Sequence, residues 1–165
     1  MLYFTIGFTL QYFAATKVQV NYNIHHDFYC EILSGVATGI FITLTGARSI
    51  VSVIGPILLG IALFIMSKQQ DGMSEAISEV TAIMVTVGKT LSVVLFYSSL
   101  PYLISPSIYP LGYGVAYSFV QVVTFVGSRV IGYSDLKYMA IQLSSIIFSL
   151  VGFTLDKKLR DGVLS

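Results

Sequence analysis

Val80-Thr-Ala-Ile-Met-Val-Thr86-Val-Gly-Lys89-Thr90-Leu-Ser-Val-Val-Leu-Phe-Tyr97-Ser-Ser-Leu100 is the stretch whose reading decides the fold. It is long enough to cross the hydrocarbon core of a bilayer as a helix, which takes about 20 predominantly apolar residues. Lys89 is its one charge, near the middle. Four other stretches meet or approach the same length: Phe28–Thr45, Ile50–Met66, Leu111–Tyr133 and Tyr138–Leu155. A sixth, Leu2–Thr16, is short and reads as a span that has lost its beginning. Charges gather between these runs, at Lys17 to Asp27, Arg48, Lys68 to Glu79 and Ser134 to Lys137. Lipid admits only helices or closed barrels, and the runs are too long and too uniformly apolar for barrel strands. The expected fold is therefore all-α: one polytopic membrane bundle of about six transmembrane helices, with its first helix truncated.

Composition supports the same reading. Of the 165 residues, 55% are hydrophobic and only 10% charged, with a mean hydropathy of +0.83. A soluble domain carries roughly 25% charged residues, so this chain cannot cover a water-facing surface. The net charge of +1, without a dense basic cluster, gives no case for nucleic acid. Cys30, the single cysteine, excludes an internal disulfide and a cysteine-based metal site. The start Met1-Leu-Tyr-Phe-Thr-Ile lacks the basic and small-residue pattern of a signal peptide, so the first helix is expected to be retained. Lys and Arg near span ends set orientation. The densest basic group, Asp156-Lys-Lys-Leu-Arg160, puts the C-terminus in the cytoplasm and Lys17–Asp27 on the outer or lumenal side.

The spans differ in polarity. Tyr113, Tyr117, Gln121, Thr124 and Ser128 follow one another at four, four, three and four residues, one stripe along one helix. Thr86, Lys89, Thr90 and Tyr97 mark Val80–Leu100, and Glu31, Ser34, Thr38 and Thr45 mark Phe28–Thr45. Ile50–Met66 carries no polar side chain after Ser52 and is expected against lipid. Two readings stand side by side. Ser, Thr and Gly serve close helix packing, as in Gly35-x-x-x-Gly39, or they line a path for solute. Tyr102, Tyr109, Tyr133 and Tyr138 fall near span ends and are expected to be interfacial anchors.

Glu31, Lys89 and Arg129 are charges inside spans. A central Lys costs about 2.5–3.5 kcal/mol to insert, so Lys89 is expected to face the interior and have a partner. Glu31 is placed to pair with it or to share the two ends of a zwitterionic solute. Arg129 lies about one turn from a span end, within snorkelling reach of the interface. His25-His26 reads as a solvated loop rather than a metal site. No catalytic arrangement at helical spacing appears within a span, and neither enzyme activity nor a metal or cofactor is expected.

Gly39-Ile-Phe-Ile-Thr43-Leu-Thr-Gly46-Ala-Arg48 resembles the loop signature of the major facilitator superfamily: Gly, Asp, Gly and Arg at set spacing. Gly39, Gly46 and Arg48 match, while Thr43 stands where the acid belongs. Leu100-Pro-Tyr-Leu-Ile-Ser-Pro106 and Tyr109-Pro-Leu-Gly112-Tyr-Gly114-Val-Ala-Tyr-Ser-Phe-Val-Gln121 are similar to a later loop and the eleventh helix of that superfamily. The likeness is nearest to its lysosomal dipeptide-transporter branch. The tail Asp156-Lys-Lys-Leu-Arg-Asp-Gly162 resembles the same branch. The resemblance implies the C-terminal half of a solute transporter working by alternating access. It implies an amino-acid or peptide-like solute and a lysosomal or vacuolar membrane. Solute-facing residues would be Lys89, Tyr113, Tyr117, Gln121, Glu31 and Arg129, with Gly39, Gly46 and Arg48 as a gating loop. The implied partners are lipid, a small-molecule solute, and a second six-helix half or another membrane subunit. The alternative is a non-transporting structural or accessory subunit of a larger complex.

Overall fold

The computed structural model describes residues 2–24, 28–69, 72 and 74–155. His25, His26 and the tail from Asp156 onward lie outside them. The described chain forms six helices: α1 (Leu2–Asn21), α2 (Phe28–Thr45), α3 (Arg48–Lys68), α4 (Glu75–Leu103), α5 (Tyr109–Val130) and α6 (Asp135–Leu155). A single 3-10 turn, Pro106–Ile108, precedes α5. Helices α2 to α6 are each long and apolar enough to span a membrane, and the protein is an all-α, multi-pass membrane bundle.

The ends of the helices follow local chemistry. Gly46 turns the chain between α2 and α3 at φ +66°, a conformation glycine takes without a Cβ clash. Pro110 sits in the first turn of α5, where no intrahelical N–H is required. Pro101 falls in the last turn of α4, which stops at Leu103. Helix α1 runs on to Asn21, beyond the Thr16 expected, but it is not among the helices long and apolar enough to cross a membrane. Gln11, Lys17 and Gln19 lowered its apparent hydropathy. A helix packed within a bundle tolerates such residues because its neighbours, not lipid, surround them.

Helix α1 packs most extensively on α6, and α4 on α3. Helix α2 leans on α4 and α5 on α1, while α1 meets α4 and α3 meets α6 across the middle. Exchanging α1 with α4, α2 with α5 and α3 with α6 leaves this scheme unchanged. The contact scheme is thus symmetric between the first three helices and the last three, which interleave rather than pack as separate units. The pattern leaves α2 and α5 outermost: 11% of each of their spans is buried, against 33–44% for α3, α4 and α6.

Lipid tails are as apolar as leucine, so close packing must hold such helices together. Gly7 of α1 lies against Ser145 and Ser149 of α6, and Gly152 of α6 against the Phe4 backbone, where an added Cβ would come within 2.9 Å of the amide nitrogen. Gly88 of α4 meets Gly55 of α3 just as closely: a Cβ added to Gly88 would come 2.8 Å from the Gly55 carbonyl oxygen. Phe8 and Phe96 stack face to face at 4.0 Å, with Phe4 beside them at 5.8 Å from Phe96.

Two expectations from sequence need correction here. Helix α3 is only half a lipid-facing helix. Ile50, Ile54, Ile57, Ile61 and Phe64 point outward, but Val51, Ser52, Gly55, Leu59, Ala62, Leu63 and Met66 are buried. It lacks polar side chains because α4 and α6 ask for small and aliphatic ones. Tyr138 is no interfacial anchor: it is fully buried, stacked on Tyr133 at 4.9 Å and tilted against Phe13 at 5.7 Å.

Candidate functional site

Helices α1 and α4 form the central seam, and its two sides differ in character. On the side of α3 and α6, small and polar residues are sealed in. Gln11 donates its amide to the Gly88 carbonyl at 3.3 Å, and Ser92 bonds the same oxygen at 3.2 Å. Gln142, Ser145 and Ser149 of α6 are buried there as well. That row on α6 serves packing.

The other side, flanked by α2 and α5, is open and carries the charge. Neighbouring residues turn opposite ways: Gln11 and Gly88 face in, while Tyr12 and Lys89 face the open side. Lys89, midway along α4, donates to Gln19 Oε1 of α1 at 3.0 Å. Its ammonium stands 5.2 Å from the centre of the Tyr12 ring. Glu31, in the first turn of α2, lies within electrostatic reach of it. Side chains on a helix lean toward its N-terminus. That direction carries Lys89 toward the bundle end where α1 finishes and α2 begins, so Gln19 and Glu31 are its natural neighbours.

Two turns further along α4, Tyr97 continues the face. Its ring is 5.3 Å from that of Tyr113 on α5, and Tyr12 and Tyr117 lie within its electrostatic range. Tyr109 extends the aromatic wall at 6.2 Å from Tyr113. Tyr113 is 38% exposed and Tyr117 46%, so both retain free surface on the open side. Gln121 follows on the same row of α5, half-buried.

The structure therefore brings Lys89, Glu31, Tyr113 and Tyr117 to one face, with Gln121 next along α5. Arg129 stands apart, exposed in the last turn of α5 with its guanidinium 4.7 Å from the Phe125 ring centre. Tyr12 and Gln19 were not singled out from sequence. They are seven residues apart, on one helical face, but α1 was read as ending before Gln19. The hydroxyls of α2 are satisfied locally: Ser34, Thr38, Thr43 and Thr45 each bond a carbonyl of their own helix, Thr38 buried and Thr43 and Thr45 exposed.

The loop residues separate. Gly35 packs against Thr90 of α4, whereas Gly39 has no atom within 4 Å of a Cβ position, and neither has Gly46. Thr43, where an acid was expected, bonds the Gly39 carbonyl at 2.8 Å. Arg48, buried at the start of α3, lies over the Tyr102 ring of α4 at 4.2 Å. A cation–π contact thus joins these helix ends.

The opposite end of the bundle holds a second polar group. Asp135 Oδ1 accepts hydrogen bonds from Tyr22 and Tyr133, both at 2.8 Å. Burial, reinforced by the Asp135 carboxylate, pushes the Tyr22 hydroxyl up to about 12. The same causes raise Tyr133 well above the ordinary phenol range. A cavity of about 520 Å³ lies beside them, lined by Asn21, Met66 and Gln69 among others. Among the described residues no cluster of three or more His, Cys, Asp or Glu is placed to hold a metal. Comparisons with protein-family models, curated proteins and solved structures return no match.

Proposed function

We propose that this chain is one half of a membrane solute transporter of the major facilitator type, with the Lys89 face as its solute-contacting surface. The single observation behind the reading is Lys89 itself. A cation midway along a membrane helix, held by Gln19 and Tyr12 and beside Glu31, is costly unless water or ligand reaches it. It lies on the one side of the α1–α4 seam that the bundle leaves open. Tyr97, Tyr113 and Tyr117 supply hydroxyls and aromatic walls around it, a combination suited to a small solute with a charged or polar end.

Lys89, Tyr117 and Gln121 contact solute in this reading, with Tyr113 in the wall and Glu31 as the ion or proton partner. Arg129 belongs to the outer rim. Gly46 and Arg48 form the hinge between α2 and α3. The sequence resemblance supports an amino-acid or peptide-like solute and a lysosomal or vacuolar membrane, and the basic group Lys157, Lys158 and Arg160 supports a cytoplasmic C-terminus. No bond is made or broken. A contact scheme symmetric between α1–α3 and α4–α6 is in keeping with the internal repeats that many transporters carry.

Uptake of an amino-acid and peptide panel by liposomes containing the chain is the test, with Lys89→Ala as the control. Solute uptake that Lys89→Ala abolishes supports the reading, and uptake indifferent to Lys89 removes the residue from the site. The second reading, an accessory subunit of a larger complex, draws on the exposure of α2 and α5. It expects Lys89 to cross-link to another protein and no solute to move.

A further inference from the structure

Several helices end or begin together at one end of the bundle. Asn21 closes α1, Gln69 caps α3, and Tyr133 and Asp135 frame the passage from α5 into α6. They line the cavity of about 520 Å³, which is far larger than an ion needs and falls in the ordinary range of small-molecule pockets. Because the spans stop here, the cavity stands at the depth of lipid headgroups, within reach of both water and bilayer.

The lining has more acceptors than donors. Asp135 is its one charged residue among those described. Lys68, the neighbour of Gln69 in sequence, is turned elsewhere: its ammonium stands 5.8 Å from the ring centre of Phe64, an exposed residue of α3. Tyr22 and Tyr133 both donate to Asp135 Oδ1, so Oδ2 receives neither hydroxyl. Gln69 Oε1 is buried without a hydrogen-bond partner among the described residues. A buried acceptor left unpaired is unfavourable and marks a place where a donor belongs. Helices α1 and α3 also finish here, and the carbonyl ends of helices favour a cation. The walls are soft. The Tyr22 and Tyr133 rings meet at 80° with 6.0 Å between centres, and Met66 contributes a thioether.

We propose that this cavity binds a protonated amine, whose ammonium donates to Asp135 and Gln69 beside the Tyr22–Tyr133 corner. The carboxylate supplies the opposite charge, the rings attract a cation, and the Gln69 carbonyl requires an N–H. A quaternary ammonium satisfies the first two and leaves Gln69 unpaired. A hard metal ion asks for several oxygen ligands in a tight shell, and aromatic and thioether walls offer it nothing. The site lies at the end of the bundle, apart from the mid-helix Lys89, and stands without the transport reading. Two sources carry the same chemistry at this depth: the headgroup of phosphatidylethanolamine and a free amine in the water.

Thermal unfolding of the full chain in dodecyl maltoside, followed by circular dichroism, reads the binding, since a ligand held by the folded state raises the midpoint. Ethanolamine hydrochloride is expected to raise it saturably. Choline chloride at equal ionic strength, and uncharged ethylene glycol, are expected to bind about tenfold more weakly or not at all. Gln69→Leu is expected to weaken ethanolamine by about tenfold or more, and Asp135→Asn, which keeps an acceptor for the tyrosines, to abolish its effect. Gly60→Ala on α3 leaves it unchanged. Should Asp135→Asn fail to fold, Gln69→Leu decides alone. The chain is also reconstituted in equal phosphatidylethanolamine and phosphatidylcholine, extracted, and its retained lipid identified by mass spectrometry. Retention of phosphatidylethanolamine that Gln69→Leu removes identifies the headgroup as the amine. Ethanolamine binding without a preference between the lipids identifies a free amine. Absence of both effects, a choline shift as large as that of ethanolamine, or either effect surviving Gln69→Leu overturns the proposal.

Discussion

Gln19 of α1 and Lys89 of α4 are joined by a hydrogen bond of 3.0 Å across the central seam. A charge-assisted bond of this kind is worth about 1.5–3 kcal/mol in water-soluble proteins, but polar pairs between membrane helices average about 0.6 kcal/mol. A double-mutant cycle with Gln19→Leu and Lys89→Met, read by unfolding in mixed micelles, is expected to give a coupling of about 1 kcal/mol. Independent effects of the two changes would separate the side chains. Gln19→Leu is also expected to weaken solute uptake less than Lys89→Ala, because it loosens the ammonium without removing it.

Close approach of α1 and α6 depends on Gly152, whose missing Cβ leaves room for the Phe4 backbone. Gly152→Val is expected to push the helices apart and cost about 1–3 kcal/mol, the usual range for overpacking. Gly60→Ala, with open space around its Cβ position, is expected to be neutral or to stabilise by about 0.5–1 kcal/mol through helix propensity. Equal losses for the two would contradict the packing described.

The hydroxyl of Tyr22 binds a proton more tightly in the folded chain, up to about 12 from an ordinary value of 10.0. The neutral phenol is the form that donates to Asp135, so its contribution is complete below about pH 10 and is lost as pH rises toward about 12. Thermal stability in detergent is expected to fall across that window, and Tyr22→Phe to flatten the fall. Tyrosinate absorbance, titrated in both proteins, identifies the group.

At the other end, Arg48 rests on the face of Tyr102. Tyr102→Phe keeps an aromatic face and is expected to be nearly silent. Tyr102→Leu removes it and is expected to cost about 0.5–2 kcal/mol, the range of cation–π pairs. A phenylalanine as damaging as leucine would mean that the hydroxyl, not the ring, holds the arginine.

Much of this architecture is legible in the residues, and the failures have physical causes. Hydropathy located α2 to α6 because lipid must be met by apolar side chains whatever the fold. It ended α1 too early, at Thr16, because Gln11 and Gln19 find protein partners that no window average contains. Periodicity identified polar rows without telling what they faced. The row on α5 reaches the open side at Tyr113 and Tyr117, while the equally regular Gln142, Ser145 and Ser149 row on α6 is sealed against its neighbours. The difference lies in which helix stands opposite, and that is a property of the tertiary arrangement. Lys89 was identifiable because a cation midway along a membrane helix is costly enough to demand an explanation from sequence alone.

The extensive pairing of α1 with α6 joins the first of these six helices to the sixth. During synthesis, α1 enters the membrane with Gln11 buried-to-be but unmatched, and Gly88 arrives only when α4 does. Its second face waits longer, until α6 leaves the ribosome. Completion of this bundle therefore waits for α6, and a chain cut before Asp135 would leave α1 without its main neighbour, a clear target for membrane quality control.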